Sequence, residues 1–206
     1  PLSALSLGEV LLEAGAPPAA VSVVPCPAPL AQALLPDDRV KALSFTGSAE
    51  VGWKLRALAR TPRVTLELGG NGAVIVHEDA DVAHAAKRCA FGGFLRAGQA
   101  CISVQRLFVH SAVFDRFTGE LLAQVESLTT GNPLDEGTIV GCLVSEEAAA
   151  GAVTVVEEAV AAGARVLCGG DRSGTVMEPT VLVDVPDKHR ACRTELFAPT
   201  RGSHAS

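Results

Sequence analysis

Apolar positions along the chain switch repeatedly between helical spacing and short unbroken runs, with glycine, proline or aspartate at most of the switches. Leucines at helical spacing over Leu2 to Ala14 predict an opening helix, with Ser6 and Glu9 as a candidate capping box and Gly15 and Pro17 as its stop. Val21 to Val24 reads as a short β-branched strand, Leu30 to Leu35 as a short helix and Ala42 to Phe45 as a buried strand. After Thr46-Gly47-Ser48 the period changes to a helix over about Glu50 to Ala59. Val64 to Leu68 then alternates as a strand and completes a β-α-β unit. Further on, Ala73 to Val76 and Arg106 to His110 read as strands, with an alanine-rich helix over Asp81 to Phe91 between them. Helices over Ala112 to Leu128 and Ser145 to Ala162, then strands Arg165 to Cys168 and Thr180 to Val183, close the pattern. Such alternation specifies α/β layers around a mostly parallel sheet.

The run Gly69-Gly70-Asn71-Gly72 joins two strand patterns and marks a boundary between two lobes. Glu67 falls on one side of it and Cys101 on the other, and ligand sites favour clefts between lobes. The last residues, Arg201 to Ser206, are small and polar, with no period and no apolar anchor. They read as a non-native tail, an expression scar or an altered reading frame, outside the fold.

With 206 residues, 48% of them hydrophobic, the chain is long enough to bury a core. Its net charge of −6 is spread without basic blocks, which argues against a nucleic-acid or anionic-membrane surface and leaves small molecules and other protein as partners. The six cysteines, at 26, 89, 101, 142, 168 and 192, include no C-x-x-C pair, so neither a metal site nor a dithiol motif is expected and a reducing cytoplasm fits best. The start of the chain has no basic stretch followed by an apolar one, and no apolar run reaches membrane-spanning length, so no export or anchoring signal is expected.

Two residues carry the candidate chemistry. Cys101, in Gly98-Gln99-Ala100-Cys101-Ile102-Ser103, offers a thiol nucleophile, and Glu67, in Leu66-Glu67-Leu68-Gly69-Gly70-Asn71, offers a carboxylate base. Taken singly, each has a plainer explanation. A free cysteine usually packs as an inert small hydrophobe, and strand alternation puts Glu67 with Thr65 on a solvated face. Phe45-Thr46-Gly47-Ser48-Ala49-Glu50 joins a strand to a helix and would point backbone N–H groups and the Ser48 hydroxyl at a pyrophosphate. Its spacing is not G-x-G-x-x-G, and a capped helix start with Glu50 in the first turn accounts for the same residues.

Taken together, the motifs resemble the aldehyde dehydrogenase superfamily. Ser44-Phe45-Thr46-Gly47-Ser48, Leu66-Glu67-Leu68-Gly69-Gly70-Asn71, Gly98-Gln99-Ala100-Cys101, Glu178-Pro179-Thr180 and Glu195-Leu196-Phe197-Ala198-Pro199 stand in the family's order, and the 34-residue separation of Glu67 and Cys101 is also the family's. The resemblance implies an aldehyde dehydrogenase-like α/β fold in which residues 1–69 end a Rossmann-like NAD(P)-binding domain and 70–200 form an incomplete catalytic domain. It implies NAD or NADP as cofactor, a small aldehyde as substrate, oxidation to a carboxylic acid, and a homo-oligomer for the full-length form. Cys101 resembles the nucleophile and Glu67 the general base. Gly47 and Ser48 resemble the pyrophosphate contact, Leu68 and Gly69 the floor beneath the nicotinamide, Glu195 the acid that binds its ribose, and Phe197 an aromatic packed near the ring. The wording is similar to lactaldehyde, glyceraldehyde-phosphate-like and phosphonoacetaldehyde-type members.

The chain departs from the family at Pro25-Cys26-Pro27-Ala28-Pro29 where a glycine-rich turn is common, at Cys142 where proline is usual, and at Ala198 where glycine is usual, a methyl that would disturb the loop if the position needs positive φ. Family members are about twice as long, so the resemblance implies a central fragment lacking the oxyanion asparagine, with little turnover by itself. A non-catalytic binding or structural module derived from an aldehyde dehydrogenase is the alternative reading.

Overall fold

A computed structural model describes residues 1–61 and 63–205, and the chain divides into two compact units, Pro1–Leu68 and Gly69–Ser206. In the first unit, helix α1 (Leu2–Glu13) begins directly after Pro1. Ser6 therefore lies inside the helix, and no side chain caps its start, so the capping box does not form. Helix α2 (Ala28–Gln32) is followed by strand β1 (Leu43–Thr46), helix α3 (Ala49–Leu58) and strand β2 (Val64–Glu67). β1 and β2 pair in parallel, from Leu43 opposite Val64 to Thr46 opposite Glu67. The β-branched run Val21–Val24 forms no strand. A strand needs a neighbour to take its backbone hydrogen bonds, and among the described residues β1 and β2 pair only with each other.

The second unit runs β3 (Gly72–Val76), α4 (Val82–Phe94), β4 (Val104–Val109), α5 (Phe114–Glu126), α6 (Glu146–Ala161) and β5 (Arg165–Cys168). It continues with the short β6 (Arg172–Ser173) and β7 (Val176–Met177), then β8 (Thr180–Val183), α7 (Arg190–Arg193) and β9 (Thr200–Ala205). β6 and β7 form a two-stranded antiparallel ribbon. The main sheet has the order β3-β4-β9-β8-β5, parallel throughout except for the β5–β8 pair.

Side-chain alternation along β8 assigns the two faces of this sheet. Val181 joins one apolar cluster, with Cys89, Phe94, Leu107, Phe117 and Leu121, which α4 and α5 cover. Leu182 joins the other, with Ala152, Val156, Ala159 and Met177, covered by α6. All four β8 residues are buried, as expected of a strand covered on both faces. Asp81 caps α4 by accepting from the His84 N–H at 3.1 Å, and Ser145 caps α6 by accepting from the Ala148 N–H at 3.1 Å.

The C-terminal residues correct the sequence expectation. Arg201 to Ala205 are no tail outside the fold: they belong to β9, which fills the slot between β4 and β8. Hydrogen bonding by the backbone on both edges places this strand, whereas its side chains suit the position poorly. Arg201 is 1% exposed, and its guanidinium donates to the Ala198, Thr200 and Gly93 carbonyls and the Ser103 hydroxyl, with no carboxylate among these partners. Burial pushes its pKa down to about 9. The Thr200 and Ser203 hydroxyls are buried without a partner. Ser206 lies outside the described residues.

Candidate active site

Cys101 sits where α4 gives way to β4. After Phe94 the backbone turns left-handed, with Arg96 and Ala97 at φ 54° and Gly98 at φ 70°. Ala100 and Ser103 close a second turn, the Ser103 N–H donating to the Ala100 carbonyl at 2.9 Å, with Cys101 and Ile102 at its apex. Both apex residues are exposed, while Ser103 is buried and its hydroxyl donates to the Gly92 and Gly93 carbonyls at 3.2 Å. The apex is thus held at one side by the core face of α4 and at the other by β4.

Burial separates this thiol from others in the chain. Cys89 and Cys192 are buried and Cys168 half-buried, and burial raises the pKa of all three, that of Cys89 to about 11. Such thiols are protonated at neutral pH and are poor nucleophiles. Cys26, Cys101 and Cys142 are exposed.

Around the Cys101 turn, two glycines allow the backbone to approach closely. A Cβ on Gly70 would overlap the Cys101 carbonyl oxygen, and one on Gly69 would overlap the Glu195 carboxylate. Glu195 Oε1 accepts from the Gly70 N–H at 2.9 Å. The next residue is tied down as well: Asn71 Nδ2 donates to the Cys192 carbonyl at 2.8 Å, and its own carbonyl accepts from Arg106 Nη2 at 2.9 Å. On the other side of Glu195, the Leu196 N–H donates to Gln105 Oε1 at 3.1 Å. Phe197 is 48% exposed. Ala198 is buried in the α6-side cluster and is absent from the positive-φ residues, so its methyl is accommodated without strain.

The remaining candidates lie in the first unit. Ser48 is the N-cap of α3, its hydroxyl accepting from the Val51 N–H at 3.4 Å. The Gly47 N–H donates to the Glu67 carbonyl at 3.0 Å, so the Gly47-Ser48 turn lies beside the end of β2. Glu67 is exposed and Leu68 half-buried, in agreement with the alternation expected for β2. Structure therefore groups Cys101, Gly69 and Glu195 in one unit and Gly47, Ser48, Glu67 and Leu68 in the other.

Three residues escaped the sequence reading. Asn71 and Gln105 tie the Gly70 and Glu195 segments to their surroundings. Gln99 makes three side-chain hydrogen bonds beside the Cys101 turn. The one signal for Gln99 is a polar side chain among the small residues that precede Cys101. Among the described residues, no group of three or more His, Cys, Asp or Glu side chains could hold a metal ion, and no helix is long and apolar enough to cross a membrane.

The aldehyde dehydrogenase family model matches residues 1–201. Among curated relatives, 3-sulfolactaldehyde dehydrogenase of Priestia aryabhattai is 40% identical over 200 residues, covering 97% of this chain and 42% of that protein. The NADP(+) succinate-semialdehyde dehydrogenase GabD of Escherichia coli is 39% identical over 205 residues, with the same coverage of 97% and 42%. Among solved structures, aldehyde dehydrogenase 21 of Physcomitrella patens, in complex with its reaction product succinate, superposes with a TM-score of 0.94 at 40% identity, over 100% of this chain and 43% of that one. Glyceraldehyde-3-phosphate dehydrogenase GapN of Methanocaldococcus jannaschii, complexed with NADP, gives a TM-score of 0.92 at 33% identity, over 98% and 44%. The chain thus spans less than half the length of these relatives.

Proposed function

This chain belongs to the aldehyde dehydrogenase family, and from that premise we propose that the protein carrying it oxidises an aldehyde to a carboxylic acid, with NAD or NADP, through a covalent intermediate on Cys101. The observation that carries the proposal is the placement of Cys101 at an exposed turn apex whose backbone carbonyl lies against the side-chain-free Gly70, beside a glycine cradle closed by Glu195.

The Cys101 thiol loses its proton to solvent by way of the Glu67 carboxylate, and the sulfur attacks the aldehyde carbonyl. A C–S bond forms, and the carbonyl oxygen takes the negative charge of a thiohemiacetal, to which the Cys101 backbone N–H donates. An NAD(P) nicotinamide held by the Gly47-Ser48 turn and Glu195 would supply the hydride acceptor for that carbon. The thioester left on Cys101 is hydrolysed by water whose proton Glu67 takes, releasing the acid and restoring the thiol.

The residues present fit such a cofactor. A Cβ at Gly69 would fill the space beside the Glu195 carboxylate, and Glu195 Oε1 already accepts from Gly70, which leaves Oε2 for a ribose hydroxyl. The start of α3, with the Ser48 hydroxyl and the Gly47 turn, suits a pyrophosphate, because the first N–H groups of a helix carry partial positive charge. In this reading residues 1–69 end the cofactor-binding domain, 70–200 belong to the catalytic domain, and the full-length form is a homo-oligomer. The named relatives include enzymes for sulfolactaldehyde and succinate semialdehyde. Small aldehydes with an anionic group therefore head the substrate panel.

The test is NAD(P)H formation with that panel, by this chain and by a form extended to the family's length, each with and without Cys101→Ala. Turnover by the extended form that disappears with Cys101 is the expected result. Silence across the panel with both cofactors would favour a non-catalytic binding module.

A further inference from the structure

We propose that Gln99 is the positioning residue of the nucleophile, a clamp that carries the rigidity of the core to Cys101; this rests on the reading of Cys101 as the nucleophile. The side-chain amide of Gln99 satisfies three backbone groups at once. Nε2 donates to the Arg96 carbonyl at 3.3 Å and to the Cys142 carbonyl at 3.1 Å, and Oε1 accepts from the Val144 N–H at 3.0 Å.

These bonds join two segments of very different character. One is the left-handed turn before Cys101. Arg96 and Ala97, both at φ 54°, occupy a region that costs an L-residue about 1–2 kcal/mol each. Such a conformation persists only where its surroundings hold it. The other segment is anchored. Leu143, between the two residues that Gln99 grips, is 2% exposed within the α6-side cluster, and its N–H donates to the Thr175 carbonyl at 2.8 Å. Its neighbours Cys142 and Val144 are exposed, Val144 at 85%. The path therefore runs from the core through Leu143 to Gln99, and Cys101 stands two residues further along the chain.

The arrangement requires the chemistry of glutamine. The acceptor and the donor must sit on one planar group, and both donor hydrogens are used. Glutamate keeps the bond from the Val144 N–H and loses both donations. Alanine loses all three, and asparagine is one carbon too short to span the same gap. Without the clamp the turn samples many conformers, and the Cys101 thiol is no longer presented in one orientation.

The experiment is iodoacetamide labelling of the chain, with rates resolved for each cysteine by peptide mass spectrometry. In the unaltered chain Cys101 reacts faster than the exposed Cys26 and Cys142, while Cys89 stays protected. In Gln99→Ala the Cys101 advantage over Cys26 falls by about fivefold or more, with Gln99→Glu intermediate and Cys89 still protected. An unchanged or faster Cys101 rate in Gln99→Ala, with Cys89 protected, overturns the clamp. If alanine exposes Cys89, the glutamate variant decides by the same criterion. Hydrogen exchange of the Val144 amide in the unaltered chain decides independently: protection despite its exposed side chain supports the clamp, and free exchange overturns it. A Cys101 that labels no faster than Cys26 in the unaltered chain refutes the nucleophile reading instead, and the Val144 amide then still reports on the clamp.

Discussion

The two units make unequal use of similar sequence patterns. Among the described residues of Pro1–Leu68, Leu35 and Leu55 are the buried large hydrophobic side chains, while Leu2, Val10, Leu30, Trp53 and Leu58 lie exposed. In Gly69–Ser206, five strands and three long helices bury two apolar clusters, one on each face of a sheet. A two-stranded sheet with one half-buried face is marginal, whereas a sheet covered on both faces is self-supporting. Amphipathic helices and β-branched runs thus yield a core only where the chain supplies enough neighbours to cover them. The consequence for the proposed function is that the Cys101 turn rests on the well-packed unit, while Ser48 and Glu67 rest on the unit with the smaller core.

The largest expected effect is on chemistry. In a form extended to the family's length, Cys101→Ala lowers the rate of aldehyde-dependent NAD(P)H formation by at least about 10³-fold. Glu67→Gln lowers it by about 10²-fold or more through loss of the base.

In stability the units should separate clearly. Phe117 is fully buried in the second unit, and Phe117→Ala costs about 3–5 kcal/mol in denaturant unfolding. Trp53 is 62% exposed in the first unit, and Trp53→Ala costs within about 0.5 kcal/mol. Equal losses at the two positions would break the comparison.

Arg201 tests the weak place within the stronger unit. Replacing this unpaired buried cation by methionine is expected to stabilise the chain by about 1–4 kcal/mol at neutral pH. The sign of the pH dependence follows from burial. The folded-state pKa of about 9 lies well below the ordinary guanidinium value, so the unfolded chain holds the proton more tightly. The cost of Arg201 is therefore complete below pH 9 and shrinks as the pH rises above it, and the advantage of Arg201→Met shrinks with it. Thermal melts of both forms across that range measure the difference.

Smaller effects are expected at backbone contacts. Gly70→Ala places a methyl against the Cys101 carbonyl and costs about 1–3 kcal/mol, and it slows Cys101 labelling as well. Ser48→Ala removes the α3 cap and costs about 1 kcal/mol, read as faster amide exchange at the start of that helix.

Much of this architecture was legible because periodicity and caps acted locally. Asp81 and Ser145 marked the starts of α4 and α6, and the alternation in Val64 to Leu68 assigned the exposed face of Glu67. What escaped depended on distant partners. Val21–Val24 had the composition of a strand and pairs with no neighbour. Arg201 to Ala205 had the composition of a tail and became β9, because the slot between β4 and β8 supplied hydrogen bonds on both sides. Cys101, Glu67 and the glycine motifs stood out by residue type and order. The bonds from Gln99 to Cys142 and Val144, and from Asn71 to Cys192, span 43 or more residues and left no local pattern.

The most direct test of the central claim is mass spectrometry of the Cys101 peptide after rapid quenching of the extended protein with an anionic semialdehyde. An acyl adduct on Cys101 that forms only when aldehyde and NAD(P)⁺ are both present, and is absent in Cys101→Ala, is the predicted result. NAD(P)H formation that survives Cys101→Ala would contradict it.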